Sequence, residues 1–494
     1  MAKGKRDEKK ITPRSENYSD WYHDIILRAA LADYAPVKGC MVIRPHGYAI
    51  WELIQQHLDR EFKRTGHQNA YFPLFIPESY IEREKEHFAG FAPECAIVTQ
   101  GGEQTLSERL YVRPTSEMII WSMIKKWVQS YRDLPLLLNQ WCNVVRWEKR
   151  TRLFLRTSEF LWQEGHTAHE NEEQARAETM QMIGVYRDFA EDVMAVPVYW
   201  GRKTENEKFK GAIDTYSIEA MMQDGKALQA GTSHYLGENF ARAFDVQYQS
   251  REKKLEYAYA SSWGVSTRLI GALIMAHSDD QGLILPPRLA PQQVVIVPIY
   301  RKEEEKGPVL AECNAVLETL QKNLRVHLDD REGHSPGFKF NEWELKGVPL
   351  RIEVGPKDLE KGQLCLVKRF GEFPDQKRKQ FLARDEALAA IPDLLSEMQT
   401  ELYNRALEFR KKQTRSIDSI EEFQEYFRDR GEGEPSGFAL CHWCGDGSCE
   451  KDMSDKYKTT IRCIPDESHG LVEDGTCIHC GGPSSTRVVM AQSY

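Results

Sequence analysis

The sequence predicts an α+β fold in three parts: an antiparallel-sheet domain over residues 18–289, an α/β domain over 290–402, and a small cysteine-rich domain over 403–494. Three observations lead there. Asn143 to Phe160 reads as two strands joined by a charged loop, an antiparallel hairpin. Val294 to Ile299 is a continuous apolar run typical of a buried strand; helical periodicity from Val309 to Leu324 and a strand from Leu324 to Leu328 follow it. Six cysteines, Cys441, Cys444, Cys449, Cys463, Cys477 and Cys480, crowd the last part of the chain.

Composition narrows the class. At 494 residues the chain exceeds one core, and 41 % hydrophobic with 29 % charged residues fits a soluble globular enzyme. No apolar run is long enough to span a bilayer, so no membrane partner is expected. The basic stretch Met1 to Lys10 leads into no apolar segment, so it does not read as a signal peptide. A cytoplasmic protein with reduced cysteines is therefore expected, and clustered thiols read as metal ligands before disulfides. The net charge of −9 argues against a general nucleic-acid coat but leaves room for a local basic track.

In chain order, Ile50, Leu53, Ile54, Leu58 and Phe62 fall on one face of a long amphipathic helix. Arg113-Pro-Thr115-Ser-Glu117 precedes another helix. Its hydroxyl and carboxylate suit either a helix cap or a carboxylate holding a substrate ammonium. In the hairpin, alternation puts Arg146 and Glu148 on one strand face, and the return strand brings Arg156 and Phe160. A fixed guanidinium grips phosphate or carboxylate, the carboxylate accepts from an amino group, and the ring stacks on a base. The pattern reads as a nucleotide site without a glycine-rich loop; a salt-bridged surface hairpin is the plainer alternative. Glu164, His166 and His169 read as a polar pocket wall rather than a metal cluster.

Gln229-Ala-Gly-Thr232-Ser-His234 combines small residues with the hydrogen-bonding side chains of Gln229, Thr232 and His234. Trp263-Gly-Val-Ser266-Thr-Arg268 ends a strand and starts a helix whose first turn favours an anion. Pro286 to Pro291 reads as a stiff linker, and Leu402 to Lys412 as a charged helix that precedes an acidic-aromatic stretch, Glu421 to Arg430. In the tail, Cys477-Ile-His-Cys480-Gly-Gly is a metal knuckle. Spacing favours Cys441 and Cys444 as its second pair, with Cys444 and Cys449 the wider alternative. Four thiolates leave no open coordination position, so a structural Zn²⁺ is expected.

Taken together these segments resemble the class II aminoacyl-tRNA synthetases, and within them the prolyl family. Gly39-Cys-Met-Val-Ile-Arg44-Pro45 resembles motif 1, the Arg146 to Phe160 hairpin motif 2, and Gly264-Val-Ser-Thr-Arg268 motif 3. The stretches at 113–117, 157–169 and 231–240 are similar to prolyl-specific text, in the archaeal/eukaryotic style with a C-terminal zinc domain. About sixty residues separate His169 from Gln229, too few for a large editing insertion.

The resemblance implies a class II antiparallel-sheet catalytic domain, an anticodon-binding α/β domain and a zinc domain. It implies a ligase that forms prolyl-adenylate from L-proline and ATP with Mg²⁺, then passes the prolyl group to tRNA(Pro). Arg146 is then expected on the α-phosphate and the proline carboxylate, and Arg268 on the γ-phosphate. Arg156, Glu148, Thr157, Phe160 and Ser266 serve the nucleotide, and Gln229 and Thr232 the nucleotide and Mg²⁺ side. Thr115 and Glu117 meet the imino group, while Trp162 and His234 close the ring pocket. Glu344, Arg351 and Lys357 match anticodon contacts, Cys444, Cys449, Cys477 and Cys480 match the zinc ligands, and a homodimer through the motif 1 helix is implied.

Overall fold

The computed structural model describes residues 10–81, 95–375, 377–428 and 436–494. Met1 to Lys9 of the basic N-terminal stretch, and the last two residues of Glu421 to Arg430, lie outside the described residues. Among the described residues no helix is long and apolar enough to cross a membrane.

A 12-stranded sheet forms the spine. Its middle runs in the spatial order Val198–Arg202, Asp214–Met221, Ala227–Gly237, Tyr259–Ser266, Glu159–His169, Leu136–Val145, each antiparallel to the next. The expected hairpin is the last pair. Behind this sheet the helix Pro45–Arg64, opened by Pro45 in its first turn, buries Ile50, Leu53, Ile54, Leu58 and Phe62 as expected, with Trp51 added. They share one core with Trp263 and the helices Glu172–Asp188 and Arg268–His277.

The sheet does not stop at residues 136–266. Thr460–Pro465 pairs antiparallel with Val198–Arg202, and Pro483–Ala491, Phe438–His442 and Thr414–Ile417 continue outward from it. Gly201 permits the joint: a Cβ there would lie 2.0 Å from the Ile464 carbonyl oxygen. The cysteine-rich region is thus an extension of the sheet, which the local sequence does not announce.

The second region holds a separate five-stranded sheet. Val294–Pro298, buried at every position, lies parallel between Val326–Leu328 and Leu350–Val354, with Gln363–Lys368 and Lys379–Ala383 antiparallel beyond. The helix Glu303–Leu320 and the start of Arg384–Lys412 pack on its core. That second helix begins at Arg384 rather than at Leu402, because Ala387, Ile391, Leu395, Met398 and Leu402 form a buried stripe that overrides Pro392. The proline-rich segment before Val294 is packed rather than extended through solvent. Leu289 and Ala290 are fully buried, and Arg325 donates to the Pro287 and Ala290 carbonyls, each at 2.9 Å.

Candidate active site

Strand register gathers the polar residues of four strands into rows across one sheet face. Thr215, His234, Ser262 and His166 face one another from strand to strand, and so do Thr232, Gly264 and Glu164; Ser266 pairs with Trp162. They line a cavity of about 380 Å³ that also receives Thr115, Glu117, Arg146, Phe160, Gln229 and Arg268. Strict alternation puts Gln229 on the opposite face from Thr232. A bulge in the ladder, where the partner of Ile218 is Gly231 and that of Glu219 is Gln229, reverses the parity and turns Gln229 in.

At one end the groups are buried and mutually bonded. Arg113, 1 % exposed, donates to the Asn143 carbonyl at 2.8 Å, to the Phe72 carbonyl at 2.7 Å and to Asn143 Oδ1 at 3.0 Å. This clamps the segment that leads to Glu117, the first residue of the helix Glu117–Trp127. Thr115 Oγ1 donates to the Glu117 carboxylate. Ser116 occupies the cap position but makes no side-chain cap bond; its hydroxyl donates to Glu164 instead, so the segment serves the cavity wall. Glu164 also accepts from Gln140 Nε2 at 2.8 Å and lies 2.9 Å from His166 Nε2. His169 points to the opposite sheet face, where burial lowers its pKa to about 4, so the three residues form no metal cluster. His234 is hydrogen-bonded to Thr215 Oγ1 at 2.9 Å and packs against Phe209.

The other end is cationic. Arg146 lies just beyond the strand that ends at Val145; its amide still donates to the Ser158 carbonyl, and its Nε donates to the Pro114 carbonyl at 3.0 Å. The guanidinium sits 5.6 Å from the Phe160 ring centre and 5.5 Å from that of Trp162. Arg268 opens the helix Arg268–His277, and its Nε donates to the Leu155 carbonyl at 3.3 Å, tying this helix to the hairpin loop. Burial and the nearby Arg146 and Arg156 pull its pKa down to about 10.

Glu148, Arg156 and Thr157 are not among the residues lining the cavity. Past Val145 the chain leaves the ladder, so Glu148 does not share a strand face with Arg146; it pairs with Arg156 at 3.3 Å. Thr157 is buried and donates to the Glu159 carbonyl at 2.7 Å. Gly39 anchors the loop base: at φ +82° it accepts the Ser158 amide, and a Cβ there would sit 2.5 Å from Ser158 Oγ. Sequence reasoning missed Glu207, Phe209, Thr215 and Ser262. Periodicity could have found Thr215 and Ser262 once the register was known; the loop carrying Glu207 and Phe209 has no local signature.

Cys444, Cys449, Cys477 and Cys480 have Sγ atoms within 4.8 Å of one another, the wider of the two spacings. A tetrahedral thiolate site for zinc needs sulfurs roughly 4 Å apart, so the set fits. The knuckle is formed: Cys477 N donates to the Gly482 carbonyl at 2.8 Å and Gly482 N points at Cys480 Sγ at 3.4 Å. That amide and the neighbouring thiols lower the Cys480 pKa to about 7. Cys441 and Cys463 are buried elsewhere in the sheet. In the five-stranded domain, Glu344 and Arg351 line one cleft, where Glu344 pairs with Arg378 at 2.9 Å and Arg351 with Glu353 at 3.0 Å. Lys357 is exposed outside it.

An antiparallel sheet that presents Arg146, Arg268 and the Phe160 ring to one cavity fits a class II tRNA synthetase core. Residues 100–277 match the family described as tRNA synthetase class II core domain (G, H, P, S and T). Residues 293–394 match the anticodon binding domain, and residues 429–494 match the C-terminal domain of prolyl-tRNA synthetase. Curated relatives from Pelodictyon phaeoclathratiforme and Chlorobium luteolum, each named proline–tRNA ligase, are 56 % identical over 492 residues, covering 98 % of this chain and 99 % of theirs. A relative of the same name from Chloroherpeton thalassium is also 56 % identical with the same coverage. The chain belongs to the proline–tRNA ligase family.

Proposed function

We propose that this protein attaches proline to tRNA(Pro) in two steps, forming prolyl-adenylate from proline and ATP and then transferring the prolyl group to the tRNA 3′ end. The observation that carries the reading is the polarity of the cavity: a buried carboxylate, Glu117, at one end and Arg146 and Arg268 at the other. Attack of the proline carboxylate on the α-phosphate joins two anions, so fixed cations lower the barrier and no general base is required. Arg146 bridges proline carboxylate and α-phosphate, and Arg268 holds the γ-phosphate. Phe160 stacks on adenine, with Glu148, Arg156, Thr157 and Ser266 around the nucleotide. Glu117 and Thr115 receive the secondary ammonium, and Trp162 and His234 enclose the ring. Gln229 and Thr232 lie where Mg²⁺ on the phosphates would be held; bound there, the ion neutralises phosphate charge.

Zinc on the four cysteines is read as structural. Glu344, Arg351 and Lys357 are assigned to the anticodon, whose unstacked bases offer edges to such side chains. Residues 18–289, 290–402 and 403–494 are assigned to catalytic, anticodon and zinc domains. Exposed Tyr34, Val37, Val42 and Tyr48 around motif 1 support a homodimer there. A cytoplasmic location fits the cysteine usage.

ATP–pyrophosphate exchange with each amino acid in turn tests the reading. Proline-dependent exchange is expected, and it should vanish in Arg146→Ala. A folded protein that binds tRNA but supports exchange with no amino acid would overturn it.

A further inference from the structure

The part of the cavity wall formed by residues 203–211 lies outside the sheet. It is a turn in which the Thr204 carbonyl accepts from Glu207 N at 3.2 Å and from Lys208 N at 2.9 Å, and it carries Glu207 and Phe209 to the cavity. Phe209 packs on His234 with ring centres 4.7 Å apart and an inclination of 36°, and its amide donates to Thr215 Oγ1 at 3.1 Å.

The far end of this turn is held from the C-terminal region. Glu450, 2 % exposed, accepts from Thr204 Oγ1 at 2.6 Å and from Asn206 Nδ2 at 2.9 Å. Asn206 Nδ2 also donates to the Gly447 carbonyl at 2.9 Å. Glu450 and Gly447 belong to the first turn of the helix Gly447–Tyr457, together with Cys449, one of the four clustered thiols. Beneath them Lys203 Nζ and Arg462 Nε meet the buried carboxylate of Glu219 at 2.7 and 3.0 Å, so the start of the turn is fixed as well. A buried carboxylate with two donors from one turn is costly to leave unmatched, which makes it a strong geometric constraint.

We propose that Glu450 is a positioning residue for the amino-acid pocket: the helix ordered by zinc at Cys449 holds residues 203–211 through Glu450, so that Phe209 covers His234. The inference rests on reading this cavity as the proline site. Metal binding fixes the helix start, because the four thiolates must converge on one ion. Loss of the Glu450 carboxylate releases Thr204 and Asn206 and loosens the turn. The arginines of the nucleotide end stand on other elements and keep their places. The cost should therefore fall on proline affinity and spare ATP.

The test uses the full chain with zinc bound and the variants Glu450→Ala, Glu450→Gln and Asn206→Ala. In Glu450→Ala, faster amide hydrogen exchange over 204–211 is expected at unchanged zinc content. The proline KM should rise about fivefold to tenfold while the ATP KM stays within about twofold. Glu450→Gln should recover part of the loss, since its amide oxygen still accepts from Thr204. Asn206→Ala leaves the zinc helix intact and should show the same split, more weakly, even if Glu450→Ala folds poorly. Unchanged exchange over 204–211 in a zinc-loaded variant would overturn the proposal, as would an equal rise in both KM values. If the parent protein itself lacks proline-dependent pyrophosphate exchange, the reading of the cavity fails. The hydrogen-exchange comparison, made without substrate, still reports on the Glu450 contact by itself.

Discussion

Glu117, Glu164 and His234 reach the proposed amino-acid end of the cavity already bonded to Thr115, Gln140 and Thr215, whereas Arg146 and Arg268 meet at the proposed nucleotide end as like charges. The first set stands on strands in register or on a clamped helix start. The second stands just past strand ends, where side chains answer to the hairpin loop. The difference separates two tasks. Selecting a small ring needs groups fixed before the ligand arrives, and a network of hydrogen bonds supplies that. On the proposed reading a triphosphate is met by two arginines whose mutual repulsion the bound phosphates would relieve.

Arg268→Met should break this comparison most sharply. Proline-dependent exchange should fall by about 10³-fold, the scale on which phosphate-stabilising arginines act. The ligand-free fold should gain stability, by about 1 kcal/mol after allowance for partial exposure. The sign follows from the depressed pKa. The penalty of the folded cation is fully present below about pH 10 and is relieved as pH rises through that value towards the ordinary guanidinium range. Denaturant curves of variant and parent should therefore differ by a constant amount between pH 7 and 9 and converge above pH 10. A variant less stable than the parent at pH 7 would show that the arginine is satisfied within the protein.

Glu117→Gln tests the opposite end. kcat/KM for proline should drop about 10²-fold with the ATP KM little changed, because a charged hydrogen bond to the ammonium is lost. Equal losses for both substrates would erase the division into two ends. Thr215→Val is the mildest probe. It removes one hydrogen bond to His234 and should raise the proline KM about fivefold, as measured by exchange at saturating ATP.

Much of this was legible in the sequence where one short segment carries its own signal. The stripe from Ile50 to Phe62, the run Val294–Pro298, the hairpin and the cysteine knuckle all declare themselves through local periodicity or spacing. What escaped depends on partners distant in the chain. The face of Gln229 is set by a bulge against Ile218 and Glu219, and the departure of Glu148 from the strand face follows from where the ladder with Glu159 stops. Spacing alone preferred Cys441 to Cys449; Cys441 is instead a buried member of a strand paired with Val488, which only the ladder reveals. The helix from Arg384 was hidden by Pro392, a residue whose local preference lost to a buried stripe.

The joint between Val198–Arg202 and Thr460–Pro465 bears on how the chain is made. The strand Val198–Arg202 emerges from the ribosome about 260 residues before the strand that covers it. Through that interval its N–H and C=O groups form an open edge, a template for any stray strand, and the segment that closes it belongs to the region of the four clustered cysteines. How soon that edge is closed therefore depends on completion of the C-terminal strands.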